Sequence, residues 1–231
     1  MRISVCMAVF NGEKYIKDQL DSILLQIGPE DEVIISDDGS NDQTLPIIKS
    51  ISDNRIKIVY SGQKSIIKNF ENSLKTATGD VIFLSDQDDI WYPNKISIMV
   101  SFLNDYLMVF SNASVFKESM LDTYLLYDQN VQRTGFLKNF IKNNFIGATM
   151  AFQRKVLERA LPFPKKIYMH DVWIGLVSEI EGKTHFIEEP LVYYRRHGNN
   201  ASETGEKSSN SLFTKIKMRY DLGLSLLRRF L

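Results

Sequence analysis

The chain has 231 residues, 44% of them apolar, and 28 Lys and Arg balance 28 Asp and Glu to a formal net charge of zero. So large an apolar fraction supports a substantial core and excludes a disordered chain. The charge balance supplies no basic field for nucleic acid, so no nucleic-acid partner is expected.

Residues 2–10 predict a first strand, ended by Asn11-Gly12. Cys6, the single cysteine, lies within this apolar run. It reads as a buried thiol with no disulfide framework, which fits a reducing compartment. The run is too short for a signal peptide, and no stretch reaches the length needed to cross a bilayer. From Glu13 the apolar residues Ile16, Leu20, Ile23, Leu24 and Ile27 recur at helical spacing until Gly28-Pro29. Strands are predicted over 32–36, 55–60 and 81–84, and a helix over 65–77. Another helix follows Pro93, with Ile96, Met99, Val100 and Leu103 inward. Further on, 106–116 and 147–152 read as extended, 172–181 as a helix, and 184–187 and 191–195 as two short strands. The polar, Ser-rich stretch 199–210 reads as a loop, and 211–231 as an amphipathic helix. Strands alternating with helices predict an α/β fold with a mostly parallel sheet. Ligands in such sheets sit beyond the carboxyl ends of the strands.

Two acidic clusters fall at such ends. After Val81-Ile82-Phe83-Leu84 come Asp86-Gln87-Asp88-Asp89, with Trp91 beside them. Three carboxylates in four positions repel one another unless neutralised. They read either as a divalent-metal site for a diphosphate or as a solvated acidic turn that caps the next helix. Asp37-Asp38-Gly39-Ser40 reads as a nucleotide contact or as an Asx-turn. His170-Asp171, before Val172-Trp173, reads as a general base whose pKa partial burial raises, or as a helix N-cap. In Tyr193–Asn200, Arg195, Arg196 and His197 either meet phosphates or a metal, or form an exposed basic strand end. His185 reads as structural. G-x-G-x-x-G, Walker A, H-E-x-x-H and G-x-S-x-G motifs are all missing from the sequence.

In order, VCMAVFNGEKYIKDQLDSILLQ, IISDDGSNDQT, GDVIFLSDQDDIWYPNKI, FIGATMAF, MHDVWI and YRRHGNNAS resemble glycosyltransferase family 2, inverting nucleotide-sugar transferases of the GT-A fold. The likeness runs from Ile3 to about Ser202, and the DQDDIW and YRRHGNN forms look most like its rhamnosyltransferase-like subset. Ala8 and Phe10 stand where Pro and Tyr are commoner, and His170 stands where many members have Glu.

The resemblance implies a metal-dependent transferase of the hexosyltransferase class. Its donor is a UDP- or dTDP-sugar and its acceptor a glycan or lipid-linked oligosaccharide in bacterial surface-polysaccharide synthesis. It places Ala8, Phe10, Asp37, Asp38, Asp86 and Gln87 on the donor. Asp88, Asp86 and His197 hold Mn2+ or Mg2+, Asp89 being less certain because a four-residue D-x-D-D reads in two registers. Trp91, Gly147, Ala148, His170 and Trp173 face sugar and acceptor, and Asp171 is the base. The expected domain is 1–205, with a nucleotide half 1–105 and an acceptor half 106–205, followed by a tail 206–231. The tail helix either docks on the inner face of the plasma membrane or packs on the core or a second copy, so the expected location is cytoplasmic or peripheral. Two rivals stand beside this reading: an aspartate-nucleophile phosphatase, although Ile90 occupies the position where that family expects Thr, and a non-catalytic nucleotide-sugar module.

Overall fold

The computed structural model describes residues 1–197 and 211–231. The expected loop at 199–210 and the end of the YRRHGNNAS motif lie outside the described residues. Four strands build the first half: β1 (Ile3–Val9), β2 (Glu32–Asp37), β3 (Ile56–Tyr60) and β4 (Val81–Ser85). Helices α1 (Ile16–Leu24), α2 (Thr44–Ser50) and α3 (Ile66–Thr76) connect them. All these strands are parallel, in the order β3-β2-β1-β4.

The uninterrupted apolar runs of β1, β2 and β4 follow from burial on both faces. Val5, Met7 and Val9, with Val33, Ile35 and Phe83, pack against Ile16, Leu20 and Ile23 of α1. The intervening Cys6, Ile34, Ile82 and Leu84 pack with Phe70 and Leu74 of α3. Each such side chain contributes about 1.5–3 kcal/mol by leaving water. Ser65, the N-cap of α3, accepts from Lys68 N.

The second half continues the same sheet. After β5 (Ile90–Trp91) and α4 (Lys95–Phe102) come β6 (Met108–Phe116), β7 (Tyr124–Leu125) and α5 (Phe136–Ile141). A 3-10 turn, Gly147–Thr149, leads into β8 (Met150–Gln153), followed by α6 (Arg154–Ala160), α7 (His170–Glu181), β9 (Thr184–Arg195) and α8 (Leu212–Phe230). Among the described residues the sheet has nine strands, in the order β3-β2-β1-β4-β8-β6-β9-β5, with β7 on β6. β8 is antiparallel to both β4 and β6, whereas β6 and β9 are parallel. The mostly parallel α/β fold with flanking helices and a C-terminal helix is thus as expected.

Several details differ from the sequence reading. The two short strands expected at 184–187 and 191–195 are one, β9, with its register shifted on either side of Asn112 of β6. The first helix is shorter than its apolar spacing predicts, because Ile27 joins the core after the helical turns have ended. The short α5 and α6 were not anticipated.

The packing between α7 and the segment that precedes the 3-10 turn leaves no spare volume at Gly175. A Cβ on Gly175 would lie 2.2 Å from the Phe145 ring. Gly175→Ala is therefore expected to cost about 1–3 kcal/mol through overpacking, read as a lower denaturation midpoint. An unchanged midpoint would show that Phe145 moves aside freely.

Candidate active site

Parallel register brings the two acidic clusters to one edge. Val9 pairs with Asp37 and Met7 with Ser85, so β1, β2 and β4 end together. Asp38 N donates to Val9 O at 2.9 Å. Above these ends lies a cleft of about 1190 Å³, above the roughly 300–1,000 Å³ usual for small-ligand pockets. Its walls include Ala8, Phe10, Asp38, Asp86, Gln87, Asp88, Gly147, His170, Asp171 and His197. A smaller depression of about 420 Å³ at the other end of the strands, around Met1, Asp80 and Arg154, shows no such convergence of expected site residues.

The acidic turn is fixed from three sides. Gln87 accepts from Phe10 N at 2.9 Å and donates to Phe10 O at 3.0 Å. Its amide therefore ties the end of β1 to the turn. Arg195 donates its backbone N–H to Asp89 Oδ1 and its Nε to Asp88 O, both at 2.9 Å. Beneath the turn is Lys95, whose side chain is fully buried, with Nζ donating to Ala148 O at 2.6 Å and lying 4.2 Å from the Trp91 ring centre. Burial pulls the Lys95 ammonium down to about 7, against the upward pull of Asp89 and Asp86. Asp86 keeps part of its surface in the cleft, yet burial, then Asp88 and Asp171, push its carboxyl up to about 7. Burial, Asp88 and Asp86 push the Asp89 carboxyl well up.

Across the cleft, α7 presents His170 and Asp171 in its first turn. Asp171 Oδ1 accepts from its neighbour Val172 N at 2.7 Å, and Oδ2 from Gly147 N at 3.3 Å. Burial raises its carboxyl to about 6, while these backbone donors restrain the rise. The N-cap of α7 is Met169, without a side-chain capping bond, so Asp171 lies inside the first turn and the capping reading does not hold. His170, 2% exposed, stacks on Phe70 with ring centres 3.9 Å apart. Burial lowers its pKa to about 3, so the imidazole is neutral at pH 7. Neither ring nitrogen has a hydrogen-bond partner among the described residues. A Cβ on Gly147 would sit 3.1 Å from His170 Nε2. Glycine there permits the close approach, and both ring nitrogens remain buried.

His197 Nε2 lies 2.8 Å from Asp88 Oδ2, and its ring stacks on Tyr15. A carboxylate oxygen and an imidazole nitrogen suit Mn2+ or Mg2+, which take few protein ligands and leave positions for phosphate oxygens. Among the described residues no group of three His, Cys, Asp or Glu side chains forms a complete metal site. The expected trio thus appears as the pair Asp88 and His197, with Asp86 lining the same cleft.

Four expected site residues are not among those lining the cleft. Asp37 is buried beneath it, its carboxylate accepting from Gly39 N and Ser40 N. This is the Asx-turn arrangement. Ala148 is buried and receives Lys95. Trp91 and Trp173 belong to the core, the latter donating Nε1 to Ala160 O. Asp38 does line the cleft, but its carboxylate accepts backbone N–H groups from Gln63, Lys64 and Ser65. Sequence reasoning missed Lys95 as well as Lys14, Tyr15, Lys64 and Asn69 of the cleft wall. The Glu13-Lys14-Tyr15 stretch at the end of β1 was the available signal for two of them.

The sequence matches Glycosyl transferase family 2 over residues 4–161, more than half of the chain. The chain belongs to glycosyl transferase family 2. The expected enzyme class, a glycosyltransferase, and the GT-A-like fold therefore hold. It is 30% identical over 215 residues to dTDP-rhamnosyl transferase RfbG of Shigella flexneri, covering 84% of this chain and 72% of that protein. It is 26% identical over 206 residues to the GalNAc(5)-diNAcBac-PP-undecaprenol beta-1,3-glucosyltransferase of Campylobacter jejuni, covering 84% of this chain and 64% of that one. Among solved structures it superimposes on the mannosyltransferase PcManGT from Pyrobaculum calidifontis, in complex with GDP-Man and Mn2+, with a TM-score of 0.61 at 19% identity. That superposition covers 99% of this chain and 63% of the other, and supports the fold.

The buried Lys95 side chain of this glycosyltransferase offsets the carboxyl groups of Asp89 and Asp86. Lys95→Met is expected to lower stability by about 1–3 kcal/mol, because the buried Ala148 carbonyl loses its donor and Asp89 and Asp86 lose a nearby cation. Chemical denaturation checks this, and a variant as stable as the parent would rule out the compensating role.

Proposed function

We propose that this cleft transfers a sugar with inversion from a UDP- or dTDP-sugar to a hydroxyl of a glycan or lipid-linked acceptor in bacterial surface-polysaccharide synthesis. The carrying observation is a buried carboxylate, Asp171, on one wall of a cleft whose other wall bears Asp86, Asp88 and His197. The donor half is 1–105 and the acceptor half 106–205. The Shigella relative supports dTDP-rhamnose as the specific donor, and the Campylobacter relative supports a lipid-linked acceptor.

The acceptor hydroxyl lies against Asp171, whose carboxylate takes its proton. The oxygen attacks the anomeric carbon from the face opposite the diphosphate. One carbon–oxygen bond forms as the bond to the diphosphate breaks, so the configuration inverts. Asp88 and His197, with Asp86 beside them, would hold Mn2+ or Mg2+, which would neutralise negative charge on the departing nucleoside diphosphate. Asp38 and Phe10 flank the nucleoside. Gln87 holds Phe10 in place by its backbone. The neutral His170 lines the cleft beside Asp171, where it faces the sugar or acceptor.

Asp171→Asn is expected to fold at least as well as the parent, because it removes a charge whose pKa burial has raised. Turnover falls roughly 10²–10⁴-fold, the usual contribution of a general base. In the parent, Asp171 must be deprotonated to act, so kcat/KM falls as pH drops through about 6. A variant retaining near-full transfer removes Asp171 as the base.

Chelation with EDTA is expected to abolish transfer, and excess Mn2+ or Mg2+ to restore it. His197→Ala raises the Mn2+ concentration needed for half-maximal rate. Full activity in chelator eliminates the metal role. The phosphatase and inert-module rivals predict phosphate release from sugar phosphates and no donor turnover, respectively, whereas the family assignment predicts transfer.

A further inference from the structure

Helix α8 is apolar on two opposite faces. Leu222 and Leu226 are buried in the core beside Trp173 and Phe163. Phe213, Ile216, Tyr220 and Leu227, which recur three, four and seven positions apart, are instead exposed, the first three at 78%, 60% and 65%. At about 100° per residue these four fall on one stripe opposite the buried pair. The neighbouring α5 extends the apolar surface. Its Phe140 ring lies 3.4 Å from where a Gly223 Cβ would be, and its Ile141 carbonyl accepts from Arg219. Leu137 and Ile141 of α5 are exposed at 73% and 74%. So many large apolar side chains exposed on two neighbouring helices mark a contact surface.

Charge identifies the occupant. The net charge of the whole chain is zero, yet α8 carries five Lys and Arg against one acid, Asp221, which pairs with Lys166. Lys217 and Arg228 are exposed beside the stripe, and Lys138 and Lys142 lie beside Leu137 and Ile141. No acidic residue occurs in 136–142. A second copy meeting this face through the same residues would bring like charges together. An anionic bilayer surface would instead meet the basic flanks with opposite charge and bury the stripe among acyl chains. Among the described residues no helix is long and apolar enough to cross a membrane, so the contact is interfacial.

We propose that the paired faces of α5 and α8 dock this enzyme on an anionic lipid surface. The docking face is coupled to the cleft. Arg219 bonds Tyr168 Oη, and the next residue, Met169, lines the cleft ahead of His170 and Asp171. The proposal gives the lipid-linked acceptor reading a physical route, but its test does not depend on that reading.

The test is co-sedimentation of the full chain with acceptor-free vesicles of phosphatidylglycerol and phosphatidylethanolamine, beside pure phosphatidylcholine. The expected result is binding to the anionic vesicles that weakens as salt is raised. Phe213→Ser with Ile216→Ser should weaken it roughly tenfold or more, through lost apolar burial. Lys217→Glu with Arg228→Glu should weaken it at least as much, since each basic residue near an anionic surface adds roughly fivefold in partitioning. All four positions are exposed or border solvent, so thermal melts and donor hydrolysis should match the parent, which separates failed docking from failed catalysis. Three outcomes overturn the proposal: no binding by the parent, equal binding by the variants, or a dimer in light scattering that Phe213→Ser with Ile216→Ser dissolves while vesicles go unbound.

Discussion

A buried lysine, Lys95, offsets the mutual repulsion of the acidic turn. Three carboxylates in four residues would drive the end of β4 apart in a medium of low polarity. Lys95 enters from α4, reaches the carbonyl of Ala148 and lies over Trp91. It thereby ties α4 and the Trp91 strand to the turn that floors the cleft. Arg195 and Gln87 complete the clamp through backbone groups. The result is an acidic edge that is rigid yet only partly neutralised, an arrangement suited to a divalent cation accompanied by phosphate.

The opposing wall follows a different logic. Asp171 and His170 share the first turn of α7, and burial acts on them in opposite senses, raising the carboxyl and lowering the imidazole. Adjacent residues in one environment thus become a carboxylate with a raised proton affinity and a neutral ring. Separation of titrations by environment is how a site assigns acid and base duties.

The parallel half was legible from sequence because burial on both faces leaves a continuous apolar run at each strand, and the acidic clusters mark where those runs end. The order of motifs also indicated the family. Other features follow from tertiary structure that residue type does not encode. A lysine at the start of a helix reads as solvated, and only packing shows that Lys95 is enclosed. Tryptophans beside polar motifs read as sugar platforms, but Trp91 and Trp173 are core. Asp37 has the right chemistry for a nucleoside, yet the turn it closes consumes its oxygens. The long β9 looked like two strands because Glu188-Glu189-Pro190 reads as a break, whereas the chain passes through it with a register shift.

One reversal of direction shapes the whole binding surface. β8 runs against β4 and β6, so its beginning lies at the edge where the parallel strands finish. The chain between β6 and β8, which includes β7 and α5, is therefore an excursion that leaves and rejoins the sheet beside the reaction centre. Apart from the two pairs made by β7, that excursion contributes no rungs to the sheet. Its part ahead of Phe145, unlike the Gly147-Ala148 turn that meets Asp171 and Lys95, can be rewritten between relatives while the framework and the reaction centre stay intact, which makes it the natural place for partner preference to diverge.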